Sequence, residues 1–153
     1  MTVSQMSLTV MTESLQQQEY WLAEQVLNWS GVPVAHVRPT LFIEPLFSNM
    51  AASSIAKYGT IRLPFGLART SPISASDVAR VVSTILEDPT GHRGKVYELT
   101  GPRSEDMNEI AKEYAIALNR AVKYVDTPYD KWLKETLLPL NLPQHLFDHV
   151  YYG

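Results

Sequence analysis

Two apolar periods alternate along this 153-residue chain, and their alternation restricts the fold more than any other feature. Leu15, Leu22, Val26 and Trp29 recur at the spacing of one helix face, and Val78, Val81, Val82 and Ile85 fall at i, i+3, i+4 and i+7. Between these helical stretches lie short β-type runs bounded by proline or glycine. They are Pro33-Val34-Ala35-His36-Val37-Arg38-Pro39, Thr60 to Phe65, Lys95 to Thr100 and Val122 to Val125. Strands separated by helices need crossover connections, which make neighbouring strands parallel and put helices on the sheet faces. The expected class is therefore α/β.

Local signals set the element ends. Ser14 followed by Gln17 fits a capping box at the start of the first helix, and Gly31 is its stop. Met1 to Val10 alternates apolar and hydroxyl residues, as a strand or the tail of one would. Thr40 to Tyr58 reads as a loop and then a small-residue helix that stops at Gly59. Ser74 or Ser76 caps the helix of Val78 and Ile85, and Pro89 and Gly91 close it. Ser104 is expected to open a helix with Met107, Ile110, Ala111, Tyr114 and Leu118 on one stripe. Thr127 is expected to cap another, with Pro128 in its first turn and Trp132, Leu133 and Leu137 along it. Pro139 to Gly153 reads as a proline-punctuated tail.

Composition removes several classes of function. Thirteen Lys and Arg against sixteen Asp and Glu leave a net charge of −3, with no block of like charges. Such a balance offers no footprint for nucleic acid or an anionic membrane. With no cysteine there is no thiol nucleophile and no cysteine-ligated zinc or iron–sulfur site. No apolar run approaches the ~20 residues of a membrane-spanning helix. No basic segment followed by an apolar block marks a signal peptide, so the expected location is cytoplasmic. Of the seven glycines, no set has the spacing G-x-G-x-x-G, and no P-loop is present, so this chain lacks the common phosphate cradles. His36, in a strand between Ala35 and Val37, reads as a structural imidazole. His145 and His149 share a helix face without a third metal ligand in view, and Asp77 reads as a helix-terminus charge.

A longer pattern then appears. Trp21-Leu22-Ala23-Glu24-Gln25-Val26-Leu27 leads into Ser30-Gly31-Val32-Pro33 and His36-Val37-Arg38-Pro39-Thr40. Ser71-Pro72-Ile73 follows before Asp77-Val78-Ala79, and Gly94-Lys95-Val96-Tyr97-Glu98-Leu99-Thr100-Gly101-Pro102 precedes an amphipathic helix. In this order, over nearly the whole chain, the pattern resembles the second half of NmrA-like proteins, which are atypical short-chain dehydrogenase/reductases. The resemblance implies an incomplete Rossmann-like parallel sheet whose N-terminal βαβ units are missing, with Met1 marking a truncated gene product or the start of a fragment. Residues 1–153 would form a single portion, with strands and helices to about residue 100 and a substrate-side helical region over 101–153. It further implies an NAD(P)(H) cofactor that needs the missing glycine-rich loop. Ser4, Gln5 and Met6 would lie on one side of the nicotinamide and Arg38, Pro39 and Thr40 on the other. Leu41, Phe42 and Phe47 would face a small-molecule substrate. Both loops would sit at the carboxyl ends of strands, where doubly wound sheets bind ligands.

Superfamily catalysis generally uses a Tyr-x-x-x-Lys pair on the first helix, in which the ammonium lowers the phenol pKa. Here that spacing holds Tyr20 and Glu24, and a carboxylate acts in the opposite sense, so no catalytic residue is assigned. Glu24 reads as a helix-face charge, and Ser4 and Ser7 as strand-end serines that double as candidate donors to a substrate carbonyl. Three readings stay open. The complete protein is an NAD(P)H-dependent reductase of quinone-like or azo-like electrophiles, or a non-catalytic redox sensor acting through a protein partner. Alternatively, the chain is an inactive fragment that associates with itself through an uncovered sheet edge.

Overall fold

The computed structural model describes residues 1–6 and 10–152, which form two compact units. In chain order the elements begin with β1 (Thr2–Val3), α1 (Leu15–Trp29), β2 (His36–Pro39), a π-helical segment Pro45–Ala51 and α2 (Ala52–Tyr58). Next come β3 (Thr60–Leu63), β4 (Arg69–Thr70), α3 (Ala75–Glu87), β5 (Val96–Leu99), β6 (Glu105–Asp106) and α4 (Met107–Ala117). The last are β7 (Lys123–Asp126), α5 (Tyr129–Trp132), a second π-helical segment Leu133–Leu137, a 3-10 turn Leu138–Leu140 and α6 (Gln144–Tyr152). Among the described residues no helix is long and apolar enough to cross a membrane.

The first unit comprises Met1–Thr40, Ile73–Thr100 and Leu142–Gly153. Its sheet is parallel, in the order β1-β2-β5, with Thr2, His36 and Val96 in one row and Val3, Val37 and Tyr97 in the next. Helix α1 is the crossover from β1 to β2, as the alternating periods require. Ser14 is its N-cap, with Oγ accepting the Gln17 N–H, and Gly31 follows with φ +73°. Ser74, rather than Ser76, caps α3 by accepting the Asp77 N–H, and α3 buries Val78 and Ile85. The tail expected over Pro139 to Gly153 contains α6, which packs against α1.

The second unit comprises Leu41–Pro72 and Gly101–Asn141. It holds a parallel pair, β3–β7, and an antiparallel pair, β4–β6, so the strands form three small sheets rather than one extended sheet. Ile61, Leu63, Met107, Ala51 and Leu137 make its most deeply buried apolar core. Gly59 ends α2 at φ +62°, where a Cβ would lie 2.8 Å from the Ala121 carbonyl oxygen. Two helix starts differ from expectation. Helix α4 begins at Met107, because Asp106 accepts the Asn108 and Glu109 N–H groups while the Glu109 carboxylate accepts the Asp106 N–H. That reciprocal pair satisfies more orphan donors than Ser104 would two residues earlier. Pro128 occupies the N-cap place of α5, and Thr127 turns its hydroxyl back to Val125 O.

The largest departure concerns α1. Its apolar stripe faces outward, with Leu15, Leu22, Val26 and Trp29 between 51% and 70% exposed, while the buried residue is Glu24 at 1%. These exposures predict opposite outcomes for two substitutions. Leu22→Gln shifts stability by no more than about 0.5 kcal/mol, whereas Leu63→Ala in the second unit costs about 2–5 kcal/mol. Urea unfolding followed by circular dichroism measures both.

Candidate functional site

Glu24 and Asn28 lie one helical turn apart and therefore share a face of α1. His36 and Arg38 alternate with Val37 on β2, so their side chains share a face of the sheet, and Thr2 and Ser4 repeat that spacing at the edge. These polar faces meet. Arg38 Nη2 donates to Glu24 Oε2 at 2.6 Å, and Arg38 Nε reaches both carboxylate oxygens at 3.2 Å. The Ser4 hydroxyl donates to Glu24 Oε1 at 2.5 Å. Beside them, His36 Nε2 is 2.9 Å from Asn28 Oδ1 and Nδ1 is 2.7 Å from Thr2 Oγ1. The tautomer with hydrogen on Nε2 satisfies both contacts, with the Thr2 hydroxyl donating to Nδ1.

The electrostatics follow from this packing. Burial raises the Glu24 pKa, but the hydrogen bonds from Arg38 and Ser4 outweigh it, aided by the charge of Arg38, and hold the carboxyl below the usual carboxylate range. Glu24 is thus a buried, ion-paired carboxylate and not the helix-face charge expected of it. Arg38 stays charged, its pKa raised by the hydrogen bond to Glu24. With its proton committed to Glu24, the Ser4 hydroxyl presents only acceptor capacity to any further partner.

The six positions expected to face a cofactor come together in the first unit. Ser4 N–H donates to Val37 O at 2.9 Å and Met6 N–H to Pro39 O at 3.0 Å, while Thr40 N–H donates to Leu99 O at 2.9 Å. Residues 4–6, beyond β1, therefore run beside residues 38–40, which form the carboxyl end of β2 and the residue after it. Ser4 and Pro39 are buried, and Gln5, Met6, Arg38 and Thr40 are partly exposed. Arg38, however, has its Nε and Nη2 engaged by Glu24. The three substrate-facing candidates belong to the second unit. Leu41 is exposed and Phe42 half-buried. Phe47 is buried on the π-helical segment, its ring centroid 5.0 Å from that of Tyr114. Ser7 lies outside the described residues.

Other candidates have local partners. Tyr20 OH accepts from Gln16 Nε2 at 3.0 Å, while the Glu24 carboxylate is taken up by Arg38 and Ser4. His149 Nδ1 sits 3.0 Å from Ser14 Oγ, and burial lowers its pKa. Among the described residues no group of three metal-ligating side chains converges. The sequence reading does not single out Thr2 or Asn28, and it gives Glu24 only as a helix-face charge. Their signal was a polar helix period, Glu24/Asn28, opposite a polar strand period, His36/Arg38.

Removing Arg38 leaves a buried carboxylate without its main partner. Arg38→Gln is therefore expected to destabilise the fold by roughly 2–4 kcal/mol, measured by urea unfolding. Because the folded-state pKa of Glu24 is lowered, its contribution is present above its unfolded value of 4.5 and is lost as pH falls below it. Glu24→Gln should thus flatten the acid limb of the stability–pH curve below about pH 4.5, as thermal melts across pH 3–7 would show.

No family model matches the chain. Among curated proteins it is 32% identical over 130 residues to an NAD(P)H azoreductase of Xenophilus azovorans, covering 84% of this chain and 44% of that protein. It is 31% identical over 107 residues to the (4-alkanoyl-5-oxo-2,5-dihydrofuran-3-yl)methyl phosphate reductase of Streptomyces griseus, covering 70% of this chain and 37% of that one. Among solved structures, an NADPH-dependent quinone oxidoreductase of Escherichia coli in complex with NADPH superimposes with a TM-score of 0.75 at 21% identity. That match covers 95% of this chain and 50% of the other, and shows a shared fold. The chain thus spans half or less of the length of the proteins it matches here.

Proposed function

Because the chain is NmrA-like, corresponding to about the C-terminal half of such proteins, we propose that it supplies the nicotinamide-side strand ends and substrate-side residues of an NAD(P)H-dependent reductase. The substrates are small quinone-like or azo-like electrophiles. The observation that carries this reading is the side-by-side course of residues 4–6 and 38–40 at the carboxyl ends of two parallel strands, where α/β sheets bind ligands. Identity to an azoreductase supports the choice of acceptor.

The residues present fit the nicotinamide end of such a cofactor. Ser4 Oγ, its own hydrogen given to Glu24, is an acceptor suited to the N–H of a carboxamide, and Met6 and Thr40 offer side-chain and backbone surface to a ring. No glycine set in this chain has the dinucleotide spacing, so the pyrophosphate is not held by residues of that kind here. A bound NAD(P)H supplies a hydride, and the part of residues 4–6 and 38–40 is to hold and orient the ring. Helix α1 contains no Lys or Arg, so no cation stands one turn from Tyr20 to turn it into an acid. The same feature favours a second reading, in which the cofactor is bound and sensed without turnover.

NADPH titration monitored by nicotinamide fluorescence, followed by absorbance decay with a panel of quinones and azo dyes, tests both. The reductase reading expects oxidation of NADPH that depends on the acceptor. Saturable binding with no turnover on any acceptor moves the assignment to the sensor, and no binding at all overturns both. Met6→Trp, which crowds the strand end, should weaken NADPH binding about tenfold or more, a change of roughly 1.4 kcal/mol.

A further inference from the structure

The second unit contains a groove of about 300 Å³ lined by Phe47, Ser48, Ala52, Ile55, Tyr114 and Arg120, among others. We propose that this groove is a binding site for a flat aromatic carboxylate of about two rings. The groove shares Phe47 with the substrate side of the reductase reading, but binding to it is tested without dinucleotide or turnover.

Its construction is specific. Pro45 opens a π-helical segment, a wide-turned form that recurs at functional sites, and that segment carries Phe47 and Ser48 to one wall. Tyr114, from α4, meets Phe47 with ring centroids 5.0 Å apart and planes tilted by 44°, which gives an aromatic surface. Ala52 and Ala56, one turn apart on α2, also line the groove with small side chains. Where α4 ends, Asn119 adopts the left-handed conformation at φ +47°, and Arg120 follows at once. Arg120 then reaches α2, donating from Nη2 to Ile55 O at 2.6 Å and from Nη1 to Ala56 O at 3.5 Å.

Those two contacts position the guanidinium without neutralising it by a carboxylate. Among the described residues Arg120 makes no ion pair, and neither Ser48 Oγ nor the Tyr114 phenol has a hydrogen-bond partner. Burial raises the Tyr114 pKa, so the phenol remains an O–H donor at neutral pH. An apolar groove with an aromatic wall, two unused hydroxyls and one anchored cation is complementary to a planar apolar body carrying an anion. Its volume lies at the low end of small-molecule sites, about 300–1,000 Å³. An arginine fork suits a carboxylate better than a point charge does.

Equilibrium dialysis of the full chain without dinucleotide, using 4-(phenylazo)benzoate and its uncharged counterpart 4-(phenylazo)benzamide, tests the site. The carboxylate should bind about tenfold or more tightly than the amide. Arg120→Gln should bring the carboxylate down to the amide's affinity while leaving the amide unchanged, an outcome that a loosened α2 would not give. The double variant Ala52→Leu/Ala56→Leu fills the groove from exposed positions and should abolish binding of both probes with the melting temperature retained. Equal affinities for the two probes in the wild-type chain, or binding that survives the filled groove, would overturn the proposal. The dialysis contains no NADPH and reads no turnover, whereas the reductase reading is tested by NADPH binding and oxidation, so the two readings fail separately.

Discussion

The arrangement of the first unit depends on one buried charge. A carboxylate at 1% exposure is costly unless it is paired and hydrogen-bonded, and Glu24 has both kinds of partner. A pair of this kind is weak evidence of net stability, because well-packed apolar residues do as well. It does impose geometry. Contacts from two nitrogens of Arg38 and one from the Ser4 hydroxyl are met in one rotation of α1 about its axis and one sliding position along β1 and β2. An apolar face of the same size would tolerate neighbouring positions. The same contacts decide what remains for a ligand, since they consume the Ser4 proton and two of the Arg38 donor groups.

That charge also explains the orientation of α1. Apolar residues at helical spacing ordinarily mark the core face, and Leu15, Leu22, Val26 and Trp29 satisfy the rule as a pattern. Glu24 lies on the opposite side of the helix. Turning the stripe to the sheet would expose four apolar side chains fewer, but it would leave His36 and Arg38 facing hydrocarbon. The polar face of the sheet thus selects the polar face of the helix, and the apolar stripe is left outside.

Much of the fold was legible because its signals are local. The crossover from β1 to β2 and the parallel pairing follow from the alternating periods. Ser14, Ser74 and Gly59 mark ends through their own side chains or lack of one. What was not legible depends on partners distant in sequence. The division of strands among three sheets rests on pairings such as Thr60 with Lys123, which no local period encodes. The start of α4 turned on a competition between Ser104 and the reciprocal pair of Asp106 and Glu109. At the candidate site, residues 4–6 and 38–40 were legible as strand ends. The role of Glu24 is not legible locally because its partners, Ser4 and Arg38, lie 20 and 14 residues away.

The exchange of charges at this site bears on chemistry. In a Tyr-x-x-x-Lys helix the cation lies on the helix, one turn from the phenol it activates. Here the helix carries the anion and the strand the cation, so the pair is neutral overall and its positive member is turned to Glu24. Tyr20, hydrogen-bonded to Gln16, gains nothing from it. Under the reductase reading proposed above, α1 offers no acid to the reacting centre, and such a site suits acceptors that hold the incoming electron pair themselves until solvent protonates them. Quinones and azo compounds do this by delocalisation, whereas a simple ketone concentrates the charge on one oxygen and needs a donor as it forms. On that reading, the reversed ion pair favours conjugated electrophiles over ordinary carbonyl substrates.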